Sequence, residues 1–161
     1  MLTIRPATSA DHRAIWRILE PIIREGETYT LDKNTDQSGA LAYWTGGERT
    51  NFVAEEDGLV LGSSYVRPNQ FGGGRHVANC GYITAPAARG RGIARALCEH
   101  SIAWSRQQGY RAIQFNFVVS TNEPAIHLWT SLGFQSLTHL PGAFLHPRLG
   151  YVDALVMWKD L

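Results

Sequence analysis

Cysteine is scarce in this chain, with Cys80 and Cys98 alone among 161 residues. Two cysteines make no disulfide framework, and neither falls in a Cys-x-x-Cys or Cys/His metal spacing. They are expected to be buried thiols in a reducing compartment. An excess of one charge is also missing: 15 basic residues stand against 14 acidic ones, for a net charge of +1. That balance removes the electrostatic case for a nucleic-acid partner. No apolar run approaches the ~20 residues that a membrane span needs. The first residues, Met1-Leu2-Thr3-Ile4-Arg5-Pro6, carry neither an apolar export segment nor a cleavage pattern. The expected setting is cytoplasmic. Repeats, low-complexity tracts and linkers are absent too, so residues 1–161 are expected to form one α/β domain.

What is present alternates between two periodicities. Leu2–Arg5 reads as a strand ended by Pro6. Thr8 or Ser9 can cap a helix, with Asp11 in its positive first turn, and Ile15, Ile18, Leu19, Ile22 and Ile23 form one apolar stripe ending near Gly26. Residues 27–32 are polar and carry no clear period; 40–44 suit a short helix. Strands 52–56 and 60–66 flank Asp57-Gly58, a hairpin turn signal. Pro68 and Gly72-Gly73-Gly74 mark a loop, followed by a strand over 76–84. The second half predicts a helix over 89–108 ended by Gly109, a strand over 112–119, a helix from Thr121 or Asn122 to Gly133, and strands over 134–140 and 150–158. Pro141–Pro147 is expected as the loop between these last two.

The segment from Ile83 to Arg95 passes from strand to helix through small residues. Free amides at a helix N-terminus, with the helix dipole behind them, bind anions. Gly90 and Gly92 let a phosphate approach the backbone, and Arg89, Arg91 and Arg95 add charge that forks onto phosphate oxygens. Taken alone, the same glycines fit a tight turn flanked by solvated arginines equally well. A dinucleotide fingerprint is excluded because Arg95 stands where its third glycine belongs, and a Walker loop lacks its Gly-Lys-Ser/Thr ending.

Arg89-Gly90-Arg91-Gly92-Ile93-Ala94 resembles the Arg/Gln-x-x-Gly-x-Gly/Ala loop of the Gcn5-related N-acetyltransferases. Asn122-Glu123-Pro124-Ala125-Ile126-His127-Leu128-Trp129, continuing to Gly133-Phe134, is similar to that family's Asn-x-x-Ala-x-x-Leu-Tyr helix. The resemblance implies a mixed, mostly antiparallel sheet of about seven strands, splayed at its centre, with about four helices. It implies acetyl-CoA as donor, with pantetheine on backbone groups near Ile83 and Thr84, pyrophosphate on the amides from Gly90 through Ile93 and Ala94 to Arg95, and Asn122 on the far side. The family often has Tyr where this chain has Trp129. An indole donates a hydrogen bond but is no practical proton source, so Trp129 is expected to pack against the cofactor.

Asn79 and Asn116 interrupt strands expected to be buried on both faces. A buried amide left unpaired costs about 1–3 kcal/mol, so each needs a partner. Each either polarises the reacting carbonyl and holds the acceptor, or bonds to neighbouring strand edges where the sheet opens. The runs Val77–Tyr82 and Gln114–Phe117 are similar to a fungal and bacterial subgroup acting on proline analogues such as azetidine-2-carboxylate. That resemblance implies a small amino or imino acid as acceptor, with Glu27, Tyr29, Asn79, Asn116 and Phe117 on its side. The base that frees the amine is drawn from Glu27, His76 and Asp153, none fixed by spacing. Neither cysteine has a recognisable histidine partner, so direct attack by the amine is expected. A non-catalytic acyl-CoA sensor and a protein N-acetyltransferase are the alternatives. No metal is expected, and self-association into a homodimer is left open.

Overall fold

The computed structural model describes residues 1–161. Its elements run β1 (Thr3–Pro6), α1 (His12–Glu25), α2 (Gln37–Thr45), β2 (Thr50–Glu56), β3 (Leu59–Pro68), β4 (Val77–Thr84), α3 (Ile93–Gln107), β5 (Ala112–Val119), α4 (Glu123–Ser131), β6 (Gln135–His146) and β7 (Gly150–Asp160). The strands form one sheet in the order β1-β2-β3-β4-β5-β7-β6. Every neighbouring pair is antiparallel except β4–β5. This is the mixed, mostly antiparallel α/β architecture that the resemblance implies.

Alternation along the strands divides the core between two faces. Val53, Tyr65 and Ile83 pack with the α1 stripe of Ile15, Ile18, Leu19, Ile22 and Ile23, and with Ala40 and Trp44 of α2. Phe52, Val66 and Cys80 face the other way, toward Cys98 and Ile102 of α3 and Trp129 of α4. The α1 stripe is buried along its whole length. A helix of this length is marginal in water by itself, so this burial is what stabilises it.

Several expectations shift. A short 3-10 turn, Ser9–Asp11, precedes α1. Asp11 accepts from the Thr8 amide at 2.8 Å and from both terminal nitrogens of Arg5, so its carboxylate is engaged by partners more specific than the helix dipole. Helix α3 begins at Ile93, which leaves Arg89–Gly92 as loop. The largest correction is β6. It runs to His146, through the stretch expected to be loop, because it lies at the sheet edge, where a proline's missing N–H costs no ladder bond. A register shift between Leu140 and Phe144 absorbs Pro141 and Gly142. Gly142, at φ +58°, donates its N–H to Asp153.

Candidate active site

Strands β4 and β5 pair only at Val77–Ala112 and Ala78–Ile113. Beyond that point β4 stays with β3, up to the pair Gly62–Thr84, while β5 follows β7. A register shift between Phe115 and Val118 marks the departure of β5. Asn79 sits at the apex of the resulting wedge, buried, and its Nδ2 donates to the Gln114 carbonyl at 2.9 Å. Arg67 Nε donates to Asn79 Oδ1 at 3.3 Å. Of the two readings of this asparagine, bonding to a strand edge where the sheet opens is therefore realised. A cavity of about 670 Å³ fills the wedge.

One end of the cavity has the features of an anion cradle. Gly90 and Gly92 have φ of +77° and +78°, and a side-chain carbon built on either would meet nothing within 4 Å. The N–H groups of Gly90, Gly92, Ile93, Ala94 and Arg95 have no acceptor within the protein. Free amides converging at the positive end of a 15-residue helix suit a pyrophosphate. The Ile93 side chain points into the core, so this residue offers its backbone only. The arginines contribute less than their sequence suggests. Arg91 is paired with Glu56, Arg89 with Glu25 at 3.9 Å, and Arg95 with Glu99 at 3.6 Å while it also donates to Ser131. Ile83, Thr84, Arg89, Ala94, Asn122 and Trp129 line the cavity. Asn122 precedes α4 but its side chain makes no capping bond, which leaves the amide free to bind pantetheine.

Trp129 is buried, 5.0 Å from the Tyr82 ring and 5.3 Å from Phe115 between centroids. The Tyr82 pair is tilted and the Phe115 pair edge-on, so these contacts hold the indole in place on the cavity wall. Cys80 lines the cavity, but burial pushes its thiol up, and pushes Cys98 up to about 12. Both stay protonated at neutral pH, which disfavours a cysteine-linked acyl intermediate.

The other end is aromatic and polar. Tyr29, Tyr43, Tyr65 and Phe117 line it with Asn116, Glu27 and Arg67. The Tyr29 hydroxyl donates to the Tyr82 carbonyl at 2.9 Å, and burial raises its pKa well above that of an ordinary tyrosine. The Tyr65 ring lies against Gly81, where any larger residue would strike it. Asn116 donates to Asn69 at 2.7 Å and accepts from Gln114 at 2.9 Å. Glu27 is paired with Arg148, in the β6–β7 turn, at 2.8 Å. The buried imidazole of His146 fixes that turn, its Nδ1 accepting from the amides of Arg148 and Leu149 at 3.2 Å each. Of the three candidate bases only Glu27 faces this cavity. His76 borders a separate hollow beside Trp104 and Tyr110, and Asp153 is held at the surface by Gly142 and His139. Sequence reasoning missed Tyr43, Tyr65 and Arg67. The signal for Tyr65 and Arg67 was the alternation of β3, which puts both on one face; Tyr43 lies on α2.

A model of the acetyltransferase (GNAT) family matches residues 13–134, most of the chain and all of the wedge's two walls. The chain belongs to the GNAT family. It is an N-acetyltransferase, and acetyl-CoA is its donor. A Gcn5-related N-acetyltransferase from Kribbella flavida is 44% identical and superposes with a TM-score of 0.94, covering 99% of this chain and 98% of its own. The protein yncA of Salmonella typhimurium, solved with its cofactor acetyl-CoA, is 26% identical with a TM-score of 0.88, over 100% of this chain and 94% of that one. Among curated proteins, the N-acetyltransferase aca1 of Schizosaccharomyces pombe is 34% identical over 98 residues, 60% of this chain. The aligned part is 47% of aca1, so the match spans about half of that relative's length. The L-amino acid N-acyltransferase MnaT of Escherichia coli is 27% identical over 87% of this chain and 83% of its own. No helix is long and apolar enough to cross a membrane.

Proposed function

We propose that residues 1–161 act as one N-acetyltransferase domain whose acceptor is the amine of a small amino acid or cyclic imino acid. The observation that carries this reading is the confined acceptor end of the wedge, where Tyr29, Tyr43, Tyr65 and Phe117 stand around Asn116, Glu27 and Arg67. Donor arm and acceptor share about 670 Å³. That space suits a compact acceptor better than a protein segment. The Glu27–Arg148 pair ties the segment after α1 to the β6–β7 turn and bounds this end. The similarity to MnaT, an L-amino acid N-acyltransferase by name, supports the same class of acceptor.

Acetyl-CoA supplies the activated thioester. The free amides of Gly90 and of Gly92 to Arg95 hold its pyrophosphate, and the edges of β4 near Ile83 and Thr84, with Asn122 opposite, hold its pantetheine. Asn79 keeps the wedge open at a fixed angle. Asn116 presents its remaining N–H toward the acceptor or the reacting carbonyl. Glu27 takes the proton that an ammonium must lose before its nitrogen can attack. Trp129 shields the thioester and supplies no proton. The deciding experiment is thiol release from acetyl-CoA across amino acids, imino acids, polyamines and peptides. Turnover should be fastest with free amino or imino acids. Turnover of peptides or polyamines, with none of free amino or imino acids, would overturn this reading.

A further inference from the structure

From the arrangement at the wedge apex we infer that Arg67 is the specificity-determining residue for the acceptor, binding its carboxylate and setting the enzyme against amines that lack one. The inference rests on the amino- or imino-acid reading above and goes beyond it by naming the group that selects the acid.

Two arginines line the cavity, Arg67 and Arg89. Arg89 lies at the glycine loop and pairs with Glu25. Arg67 lies on β3 beside the apex, half-buried, and no carboxylate of the protein pairs with it. Its single hydrogen bond within the chain runs from Nε to Asn79 Oδ1, so neither terminal nitrogen has a partner. A guanidinium presents its donors in a rigid fork, and anchoring Nε fixes the plane of that fork. Asn79 is itself held by the Gln114 carbonyl, so the anchor belongs to the sheet and not to a mobile loop.

Arg67 therefore holds a positive charge on the cavity wall that no carboxylate of the protein neutralises, and a ligand carboxylate is the complementary group. A carboxylate accepts two parallel N–H bonds from such a fork, the geometry that gives arginine its selectivity for planar anions. Glu27 supplies the opposite sign in the same cavity, and its partner Arg148 is largely exposed. Glu25, the other carboxylate on the cavity wall, is paired with Arg89 at the glycine-loop end. An amino acid is a zwitterion, and an acceptor end carrying the unpaired Arg67 and the Glu27 carboxylate matches it, with the ligand carboxylate on Arg67 and its nitrogen toward Glu27. A polyamine brings no anion for Arg67 and leaves the guanidinium unpaired.

The test compares each acceptor acid with its carboxamide, which keeps size and amine but loses the charge. The wild-type enzyme should favour the acid by about 10- to 150-fold in kcat/KM, the range of a hydrogen bond to a charged group. Arg67→Gln should bring the acid-to-carboxamide ratio close to 1, and Arg67→Lys, which keeps charge without the fork, should restore part of it. Acetyl-CoA affinity of each variant, measured by calorimetry, reports whether the donor side is intact. If Arg67→Gln does not fold, the Arg67→Lys ratio decides alone, and an unchanged ratio there overturns the inference. A structural role for Arg67 would lower acid and carboxamide together; a ratio that survives Arg67→Gln likewise sinks the assignment, while amino-acid turnover by that variant keeps the proposed function. A wild-type enzyme that acetylates no amino or imino acid would instead sink the proposed function itself.

Discussion

Gly92, Asn79 and Asn116 occupy separate parts of the wedge, so substitutions at each have separable expected effects. Gly92 occupies the left-handed region at the start of α3, with open space where a side chain would project, and its own amide and that of Ile93 are free. An L-residue there costs about 1–2 kcal/mol of backbone strain, and a glutamate would add negative charge to an anion cradle. Gly92→Glu is expected to abolish acetyl-CoA binding in calorimetry while the protein keeps a cooperative melt; unchanged affinity would refute the loop's role. Asn79 and Asn116 should part company under truncation. Asn79→Ala leaves the Gln114 carbonyl without its donor at a buried apex, so it should cost about 1–3 kcal/mol of stability and weaken both ligands. Asn116→Ala leaves the apex intact. It should lower acceptor kcat/KM about 10-fold or more, with acetyl-CoA affinity retained. Reduced melting temperature with unaltered acceptor kinetics at position 116 would make that asparagine purely structural.

Elements are positioned by contacts that the sequence shows only in part. Gly62 of β3 faces the first turn of α3, where an added side-chain carbon would stand 2.7 Å from Ile93 Cγ2 and 2.8 Å from the Ile83 carbonyl oxygen. The missing side chain lets α3 settle on the sheet and brings the glycine loop to the end of β4. Because the Ile83 carbonyl is backbone and cannot turn away, Gly62→Ala should push the helix outward. A stability loss of about 1–3 kcal/mol and weaker acetyl-CoA binding are expected, read by thermal melts and calorimetry. Unchanged affinity would show that the loop does not depend on this approach. Nothing in the sequence singles out Gly62, since close approach is a tertiary fact. The glycine-loop end of the wedge was legible because its parts are contiguous: a strand end, two glycines and a helix start fall within Ile83–Arg95. The other end of the cavity was legible in fragments, Glu27, Tyr29, Asn79, Asn116 and Phe117, because its wall is assembled from α1's exit, β3, β4 and β5. Tyr43, on α2, joins it only through packing. The long β6 was misread at Pro141 because a proline forbids a central strand and not an edge one, and edge status depends on the sheet order.

Across the whole molecule, one ion-pair network joins segments that are distant in sequence. Arg5 of β1 binds both Asp11, at the entry to α1, and Glu55 of β2. The Asp11 side chain is 8% exposed and also accepts the Thr8 amide. Hydrogen bonds from Arg5, opposed by desolvation, lower its pKa from 3.8 to about 2. A carboxylate whose folded value lies below its unfolded value stabilises the fold fully above the unfolded value, near pH 4. That contribution fades as pH falls toward about 2, where Asp11 is protonated in the folded state as well. The Arg5 side chain is 39% exposed, so solvent screening reduces the effect to about 2 kcal/mol at neutral pH. Asp11→Asn should therefore lower the melting temperature by roughly 4–8 °C at pH 7. The gap between variant and wild type should shrink to about half near pH 3, as the unfolded chain takes up the proton first. Calorimetric melts of both proteins between pH 7 and pH 3 measure it. A gap that stays constant across this range would mean that Asp11 stabilises the fold through shape and neutral hydrogen bonding, with no contribution from its charge.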